Sequence, residues 1–455
     1  MRGLRLNAIE KRAASSLATI FLLRMLGLFM VMPVFAIEGQ NYAQATPALI
    51  GLAIGAYGLT QALLQIPFGF LSDKYGRKVL LVAGMFIFAL GSVVAGLADS
   101  IQWVIIGRAI QGGGAVSSVV LALASDVTRD ELLSKVMALL GASIGVSFGI
   151  AFIAGPILVT HLGLSGLFFV TAILASMAIF LIIFWVPTGD NVRFLSEHRT
   201  VLSKVGDVLR HRELLRLDAG IFFLHLMLAA TFTVLPVQLV EAGMLKSQHW
   251  MLYLPIMLLA FIAMGPFMGI AAKRSLHKPI FMAAIVLLLI ACLSMTQADG
   301  VVGLGLCLFI FFWGFIYLEA TLPSMISRFA PVTFKGTALG VYSTLQYLGV
   351  FVGGPTAGWL AQTYGFNSVF VFLAVISGLW LLVAATMAKP HNVVGYTIHI
   401  GQVHQQQVAD IEKQLRTMDG VWDVVVVAEE RVAYLKVDKK QFDYEAVADY
   451  AEGLA

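Results

Sequence analysis

Four ionisable side chains interrupt long apolar stretches of this sequence, Arg24, Arg108, His225 and Glu319, and a fifth, Glu38, stands at the end of one. A charge in such surroundings is expensive unless it meets a partner, water or a transported ion, so these residues are the first candidates for chemistry. The chemistry open to them is proton transfer. A carboxyl removed from water, as Glu319 would be, can load and release a proton near neutral pH. The imidazole of His225 has an ordinary pKa of about 6.5. Either group can instead be a hydrogen-bonded structural element. Polar and aromatic residues recur at helical spacing: Tyr57, Gln61 and Gln65; Tyr342 and Gln346; Tyr317 near Phe311. Such a set would line a cavity of low charge, which suits a lipophilic or amphipathic solute better than a sugar phosphate. No nucleophile–base pair, metal-ligand cluster or phosphate loop appears in the sequence, so neither an enzyme nor a resident metal or cofactor is expected.

The elements that position these residues belong in a membrane. Of 455 residues, 59% are hydrophobic and 12% charged, against roughly 45–50% and about 25% in soluble domains. Mean hydropathy is +0.88. Those values exclude a soluble globular enzyme, a disordered chain and a disulfide scaffold. Long unbroken runs also exclude the short alternating segments of a barrel. The two cysteines, Cys292 and Cys307, sit inside apolar runs as lipophilic thiols. Taking about 20 residues per crossing, twelve spans are predicted, near 15–37, 47–71, 79–97, 101–125, 136–160, 164–187, 218–240, 249–271, 279–298, 301–327, 336–361 and 367–388. The N-terminal segment and the even-numbered connections hold 20 Lys/Arg, and the odd-numbered connections hold one, Lys246. The positive-inside rule then places both ends of the chain in the cytoplasm.

The net charge of +4 is a sum of two regimes. Residues 1–389 carry 24 Lys/Arg and 15 Asp/Glu, a net of +9, whereas residues 390–455 carry 6 and 11, a net of −5. Four parts are expected: a six-helix bundle over 1–187, a linker over 188–217, a second six-helix bundle over 218–389 and a small domain over 390–455. In the linker Leu195, Leu202, Val205, Val208, Leu209 and Leu214 alternate with charges at roughly helical spacing, as in a helix lying in the membrane interface; a solvated linker is the alternative. The halves look related at an offset near 200: Gly69–Lys78 aligns with Gly269–Lys278, and Gly149–Pro156 with Gly349–Pro355. Paired halves with matching Gly/Pro-interrupted helices suit two bundles that rock around a central site. Gly112, Gly149, Gly155, Pro156, Gly354 and Pro355 are the expected packing and hinge positions.

The loop Gly69-Phe70-Leu71-Ser72-Asp73-Lys74-Tyr75-Gly76-Arg77-Lys78 is the most specific feature. Gly69 would admit a neighbouring helix and Gly76 a tight turn. Asp73 needs a positive partner near the membrane; Arg77 is one, and Asp126 is a natural second acid for Arg77. The helix start around Gly336 and Thr337 offers Asp73 a positive dipole end. A latch of Asp73, Arg77 and Asp126, with Gly69, Gly76 and Lys78 around it, would hold the halves together on the cytoplasmic side. Its counterpart in the second half has Lys273 and Leu276 where Asp73 and Gly76 stand, so a one-sided latch is expected.

This loop resembles the signature of the major facilitator superfamily, G-x-L-x-D-[RK]-x-G-[RK]-[RK], at all seven specified positions. Gly107-Arg108-Ala109-Ile110-Gln111-Gly112-Gly113-Gly114 resembles the same family's fourth-span motif. Gly155-Pro156 resembles its fifth-span motif associated with antiporters, although Thr160, His161 and Gly163 depart from the later glycines. The resemblance covers residues 1 to about 389. It implies a bacterial inner-membrane transporter of the drug/proton antiporter type, energised by the proton gradient without a cofactor. It also implies a part for Arg108 in proton coupling; an arginine snorkelling to the surface is the alternative. Span one lacks the embedded carboxylate that several such relatives carry. Proton-driven efflux of a small solute by alternating access is the expected function. A proton symporter or uniporter, or a membrane sensor reporting through the tail, are the alternatives.

In the tail, Tyr396–Ile400, Val408–Met418, Val421–Val427, Val432–Val437 and Tyr444–Tyr450 read as strand, helix, strand, strand, helix, the order of a ferredoxin-like domain, with Glu429-Glu430-Arg431 as a turn. The run Ile411–Leu415 with Gly420 and Val424 resembles heavy-metal-associated domains of copper ATPases. Their two metal thiols would fall at His404 and Gln407, so thiolate metal binding is excluded, and His399 with His404 leaves at most a weaker site. A regulatory ligand or self-association is the expected role. A net of −5 argues against nucleic acid.

Overall fold

Long apolar runs can satisfy their backbone N–H and C=O groups away from water only by forming helices. The computed structural model describes residues 7–128, 130–187, 200–331, 335–388, 393–404, 406–428, 431–438 and 441–453. The chain runs through α1 (Ala8–Phe29), α2 (Met32–Glu38), α3 (Pro47–Tyr75), α4 (Arg77–Gly96), α5 (Ile101–Gly113), α6 (Ser117–Asp126) and α7 (Asp130–Phe184). Next come α8 (Thr200–Arg210), α9 (Arg212–Glu241), α10 (His249–Arg274), α11 (His277–Met295), α12 (Gly300–Phe329), α13 (Lys335–Tyr364) and α14 (Phe366–Ala385). Ten stretches among the described residues are long and apolar enough to cross a membrane. Their outer faces show it: on α4, Val79, Phe86 and Leu90 are exposed while Leu81, Met85 and Phe88 are buried.

Several boundaries differ from the sequence expectation, each for a local reason. The first run is two helices, α1 and α2, with a proline in the first turn of α2. The fourth run breaks between α5 and α6, where Gly114 has ψ +59°. The fifth and sixth runs are two helices, labelled together as α7, that join without a polar loop at Gly163 (φ +64°, ψ −179°), where the chain reverses. Ser147 Oγ donates to Leu22 O at 3.0 Å and Thr171 Oγ1 to Gly27 O at 3.3 Å. Those acceptors are five residues apart on α1, whereas 24 residues of straight helix would separate the donors by about 36 Å. α13 is not among the ten: its 30 residues include Ser343, Thr344, Gln346, Thr356 and Gln362, which lower its hydropathy. α9 begins at Arg212, inside the stretch read as linker, where His211 accepts the Leu214 N–H at 3.4 Å. Within that stretch α8 is a helix, and residues 188–199 lie outside the described residues.

The two sets of helices meet at one end of the molecule. A Cβ on Gly51, Gly55 or Gly58 of α3 would collide with the backbone of Gly354, Phe351 or Tyr347 on α13. Gly354 and Gly358 of α13 meet Gly51 and Pro47 in the same way. Small residues allow this backbone-to-backbone approach. Near the loop that joins α3 to α4 the picture inverts. Gly141 and Gly145 of α7, Gly265 and Gly269 of α10, and Gly336 and Gly340 of α13 have open space around them among the described residues. One end is closed and the other open.

The tail is a small α+β unit of β1 (Val393–His399), α15 (Val408–Arg416), β2 (Val421–Val427), β3 (Val432–Asp438) and α16 (Tyr444–Glu452). The antiparallel sheet has order β1-β3-β2, with Tyr396 opposite Leu435 and Val424 opposite the same residue. Ile398, Ile411, Leu415, Val424, Leu435, Phe442 and Val447 make its core. Residues 429 and 430 of the expected turn lie outside the described residues. Lys436 on β3 donates to Arg328 O at 2.9 Å and to Ala330 O, placing a cation on the free carbonyls at the end of α12.

Gly163 should be the residue that α7 tolerates least. Gly163→Val is expected to lower stability by roughly 1–3 kcal/mol, the cost of a side chain in this backbone region. Gly141→Ala, in open space, should stay within about 0.5 kcal/mol of the parent. Thermal denaturation of the purified variants compares the two.

Candidate functional site

The loop between α3 and α4 is built on one backbone feature. Gly76 has φ +96°, a conformation without penalty for glycine, and it turns the chain so that Arg77 opens α4 beside the end of α3. Arg77 pairs with Asp73 one turn back, and its Nε donates to Asp126 Oδ2 on α6 at 2.9 Å. Arg77 Nη1 donates to Ser72 Oγ at 2.6 Å. Asp73, Arg77 and Asp126 are thus together, all within the first set of helices. Gly336 of α13, expected to face Asp73, has open space around it, and Gly69 meets only Ser118, at ordinary contact distance. Lys78 lies apart from this group. Its Nζ donates to Ile183 O at 2.8 Å and Val186 O at 3.3 Å, capping the C-terminal end of α7. Lys278 does the same for α14, with Ala385 O at 2.7 Å and Met387 O at 2.6 Å. The internal repeat therefore reappears as two equivalent caps.

In the first set of helices two arginines are buried, Arg24 on α1 and Arg108 on α5. Arg24 Nη1 donates to Ser117 Oγ at 2.7 Å, and Nη2 donates to Tyr57 Oη and Gln61 Oε1, each at 2.9 Å. Gln61 Nε2 in turn donates to Gln65 Oε1 at 2.7 Å. Tyr57, Gln61 and Gln65, expected to line a cavity, are buried as the neutral shell of this cation. Arg108 Nη1 donates to Gln111 Oε1 at 2.8 Å, and its guanidinium lies 5.2 Å from the Tyr57 ring centre. Arg108 points inward and does not snorkel. A Cβ on Gly112 would strike the Tyr57 backbone, so this glycine sets the helix spacing that brings Arg108 to Tyr57. Gly155 packs likewise on Met30, just past the end of α1, while Gly149 has open space around it.

The second set holds a carboxyl and a histidine in its interior. Gln346 of α13 stands between His225 of α9 and Glu319 of α12: its Nε2 is 2.8 Å from His225 Nε2 and donates to Glu319 Oε1 at 3.3 Å. His225 Nε2 is 3.8 Å from Glu319 Oε2, and the Glu319 side chain keeps 36% of its surface exposed. Beside them Phe148 and Phe152 of α7 pack on Phe312 and Phe315 of α12, with ring centres 6.1 Å (Phe148–Phe312), 6.3 Å (Phe148–Phe315) and 6.1 Å (Phe152–Phe312) apart. Tyr317 and Phe311 are buried, and Tyr317 packs on Phe267. Tyr342 is buried one turn from Gln346. Glu38 is elsewhere. At the closed end its Oε1 meets Lys246 Nζ at 2.6 Å, and Asn41 Nδ2 donates to its Oε2 at 3.2 Å. Glu38 joins the two sets of helices at their surface and does not belong with the interior carboxyl.

A profile of the Major Facilitator Superfamily matches residues 17–354 and 246–398. The chain belongs to the major facilitator superfamily. Within it, the chain is 42% identical over 445 residues to the inner membrane transport protein YajR of Escherichia coli (strain K12), spanning 97% of each. It is 25% identical over 370 residues to the multidrug resistance protein MdtH of Baumannia cicadellinicola, spanning 76% of this chain and 85% of that one. Among solved structures, a bacterial homologue of the human lysosomal transporter Spinster, inward-facing and occupied, superposes with a TM-score of 0.69 at 12% identity. That overlap covers 84% of this chain and 97% of the other. The human organic anion transporter MFSD10 superposes with a TM-score of 0.62 at 18% identity, over 83% and 100%. The chain is a multi-pass membrane transporter and not an enzyme.

For a major facilitator, the geometry adds residues that the sequence reading left out. Asp218 is fully buried on α9, yet it sits among Arg212, Glu213 and Arg216, which made it look like the edge of a loop. Ser117 and Gln111 serve the arginines without any motif of their own. Lys246 was visible as the lone cation of the odd-numbered connections, but its partner was not. Breaking the Glu38–Lys246 pair should release the closed end of this major facilitator. Lys246→Ala is expected to shift the balance of states by about 1 kcal/mol, roughly five-fold in population. Distance measurements between probes on α2 and α10 read that shift, and Glu38→Lys with Lys246→Glu should reverse it.

Proposed function

We propose that the chain exports a small lipophilic or amphipathic solute against entering protons, by alternating access between two six-helix halves. The observation that carries this reading is Glu319: a part-exposed carboxyl inside the bundle, bridged by Gln346 to His225, beside a wall of phenylalanines. A carboxyl in such a place can trade a proton for a solute. The name of the multidrug resistance relative supports export, and the phenylalanine wall supports a lipophilic solute. Reading α7 as two crossings and including α13 gives twelve spans, with both termini in the cytoplasm by the Lys/Arg asymmetry. The open end then faces the cytoplasm, and the form described is inward-open.

In this reading Asp73, Arg77 and Asp126 form a latch assembled in the first half that holds the two halves together when the cytoplasmic side closes. Glu38 and Lys246 oppose it on the outer side. Residues 188–217 link the halves and 390–455 act as a ferredoxin-like regulatory unit. The contact of Lys436 with the end of α12 favours one alternative, a sensor whose tail reads the transporter; a symporter or uniporter is the other.

A deletion strain challenged with a panel of lipophilic cations and anions supplies the solute, and proteoliposomes with an imposed pH gradient supply the direction. Export driven by inward protons, reduced at least ten-fold in Glu319→Gln, is the expected result. Full rescue by Glu319→Gln removes the assignment of Glu319, uptake in the direction of the protons indicates a symporter, and binding without flux indicates a sensor. For the latch, Asp73→Asn should raise the inward-open share several-fold, read by accessibility labelling of α13.

A further inference from the structure

Between Glu319 and the closed end the bundle is filled by aromatic rings. α9 ends, and α10 begins, at the closed end, where Lys246 between them meets Glu38. Short links then return the chain through α11 and start α12 from that same end. Going toward it from Glu319, Phe315 and Phe312 follow along one face of α12, one and two turns on. Going the same way from His225, Phe232 stands two turns on along α9. About 10 Å of helix thus separates each ionisable group from the farther ring.

Both halves supply these rings. Phe148 and Phe152 come from the first leg of α7, one turn apart. Phe152 is the central one: its ring centre lies 4.4 Å from Phe148, 4.8 Å from Phe232, 5.8 Å from Tyr253 of α10 and 6.1 Å from Phe312. Phe312 is in turn 6.0 Å from Phe232, and Phe315 is 6.3 Å from Phe148. Phe152, Phe232, Tyr253 and Phe312 are fully buried. Apart from the Tyr253 hydroxyl, the side chains of this block are hydrocarbon throughout. On the same face of α7, Gly145 lies one turn from Phe148 toward the open end, and it has open space around it among the described residues. The space between the halves is therefore open as far as Glu319, which is part-exposed, and stopped by the rings beyond it.

We infer that these rings form the gate of the closed end and that Phe152 is the residue its seal depends on. The gate keeps Glu319 in exchange with one side at a time; this rests on Glu319 being the proton carrier proposed above. A proton or hydrated ion entering packed hydrocarbon would have to shed its water without gaining a partner. A lipophilic solute passes by exchanging ring–ring contact for contact with itself. The gate therefore admits the solute and refuses the unaccompanied proton, which an exchange of one for the other requires. Phe152 touches rings on α9, α10 and α12 together. Its truncation opens the seal toward three helices at once and leaves a void that the surroundings close only in part.

The test is the decay of an imposed pH gradient across proteoliposomes that hold the full chain, with no solute added. Phe152→Ala should collapse the gradient at least about five-fold faster than the parent, and Phe152→Leu, which keeps more of the hydrocarbon, should do so less. Phe232→Leu and Phe312→Leu loosen the same seal from the second half and should each speed the decay about two-fold or more. Phe281→Leu is the control: that ring is equally buried but packs on Trp380 of α14, away from the block, and its gradient should hold. Decay at the parent's rate in Phe232→Leu and Phe312→Leu overturns the gate, whether or not Phe152→Ala can be purified. Equal leakage from Phe281→Leu overturns it too, since any loosened packing would then serve. Adding Glu319→Gln to Phe152→Ala should return the decay to the parent's rate. A leak that persists undiminished in that double variant leaves the seal standing and overturns Glu319 as the carrier instead.

Discussion

Inside a bilayer an ionised group must be held by hydrogen bonds or give up its charge, and the two halves of this protein answer that constraint differently. The first half buries Arg24 and Arg108, which stay charged, and surrounds them with neutral acceptors from Tyr57, Gln61, Gln111 and Ser117. The second half buries Asp218 and His225, keeps Glu319 part-exposed, and leaves Asp218 Oδ1 and Oδ2, His225 Nδ1 and Glu319 Oε2 without hydrogen bonds among the described residues. The arginines are therefore better held than the titratable groups, although Arg24 Nε lacks a hydrogen bond among the described residues. Under the proposed function the first half then serves as the scaffold and the second carries the change of charge. The glycine contacts between α3 and α13 make that division mechanical, because they press the two backbones together without inserting a side chain whose rotamers would have to change.

Much of this was legible before the structure. The loop from Gly69 to Lys78 carries enough specified positions to identify its turn, its ion pairs and its family. Twenty positive residues against one carry, through the positive-inside rule, the sidedness that the proposed function assumes. The repeat at an offset of 200 was visible as sequence and is embodied in the paired caps of Lys78 and Lys278. What escaped the reading shares one cause. A linear pattern reports which residue types are near one another along the chain, not which acceptor a long side chain will reach. Tyr57, Gln61 and Gln65 have the spacing of a cavity wall, yet Arg24 reaches Tyr57 and Gln61 from another helix, and Gln61 in turn holds Gln65. Asp218 falls among charged neighbours that look solvated, because the helix that buries it begins six residues earlier than the apolar run. The reversal at Gly163 hides inside apolar sequence with no polar loop to mark it.

The two ends of the molecule also differ in how they are fastened. At the closed end Glu38 and Lys246 reinforce a dry contact of glycines with a single ion pair that remains partly in water. At the open end Arg77 ties Asp73 and Asp126 together within one half. Under the proposed function, closing this end then requires no new pairing of charges inside the group.

The caps formed by Lys78 and Lys278 bear on how the chain is built. Each lysine precedes its carbonyl partners by more than 100 residues, 105 to Ile183 and 107 to Ala385. During synthesis the loop bearing the lysine is at the membrane surface four helices before the cap can form. The final helix of each half thus arrives at a counter-charge already waiting, which fixes where that helix stops in the bilayer. Each half is closed by its own last helix, so the first can be complete before the second is made. The order of synthesis and the division of the finished machine coincide.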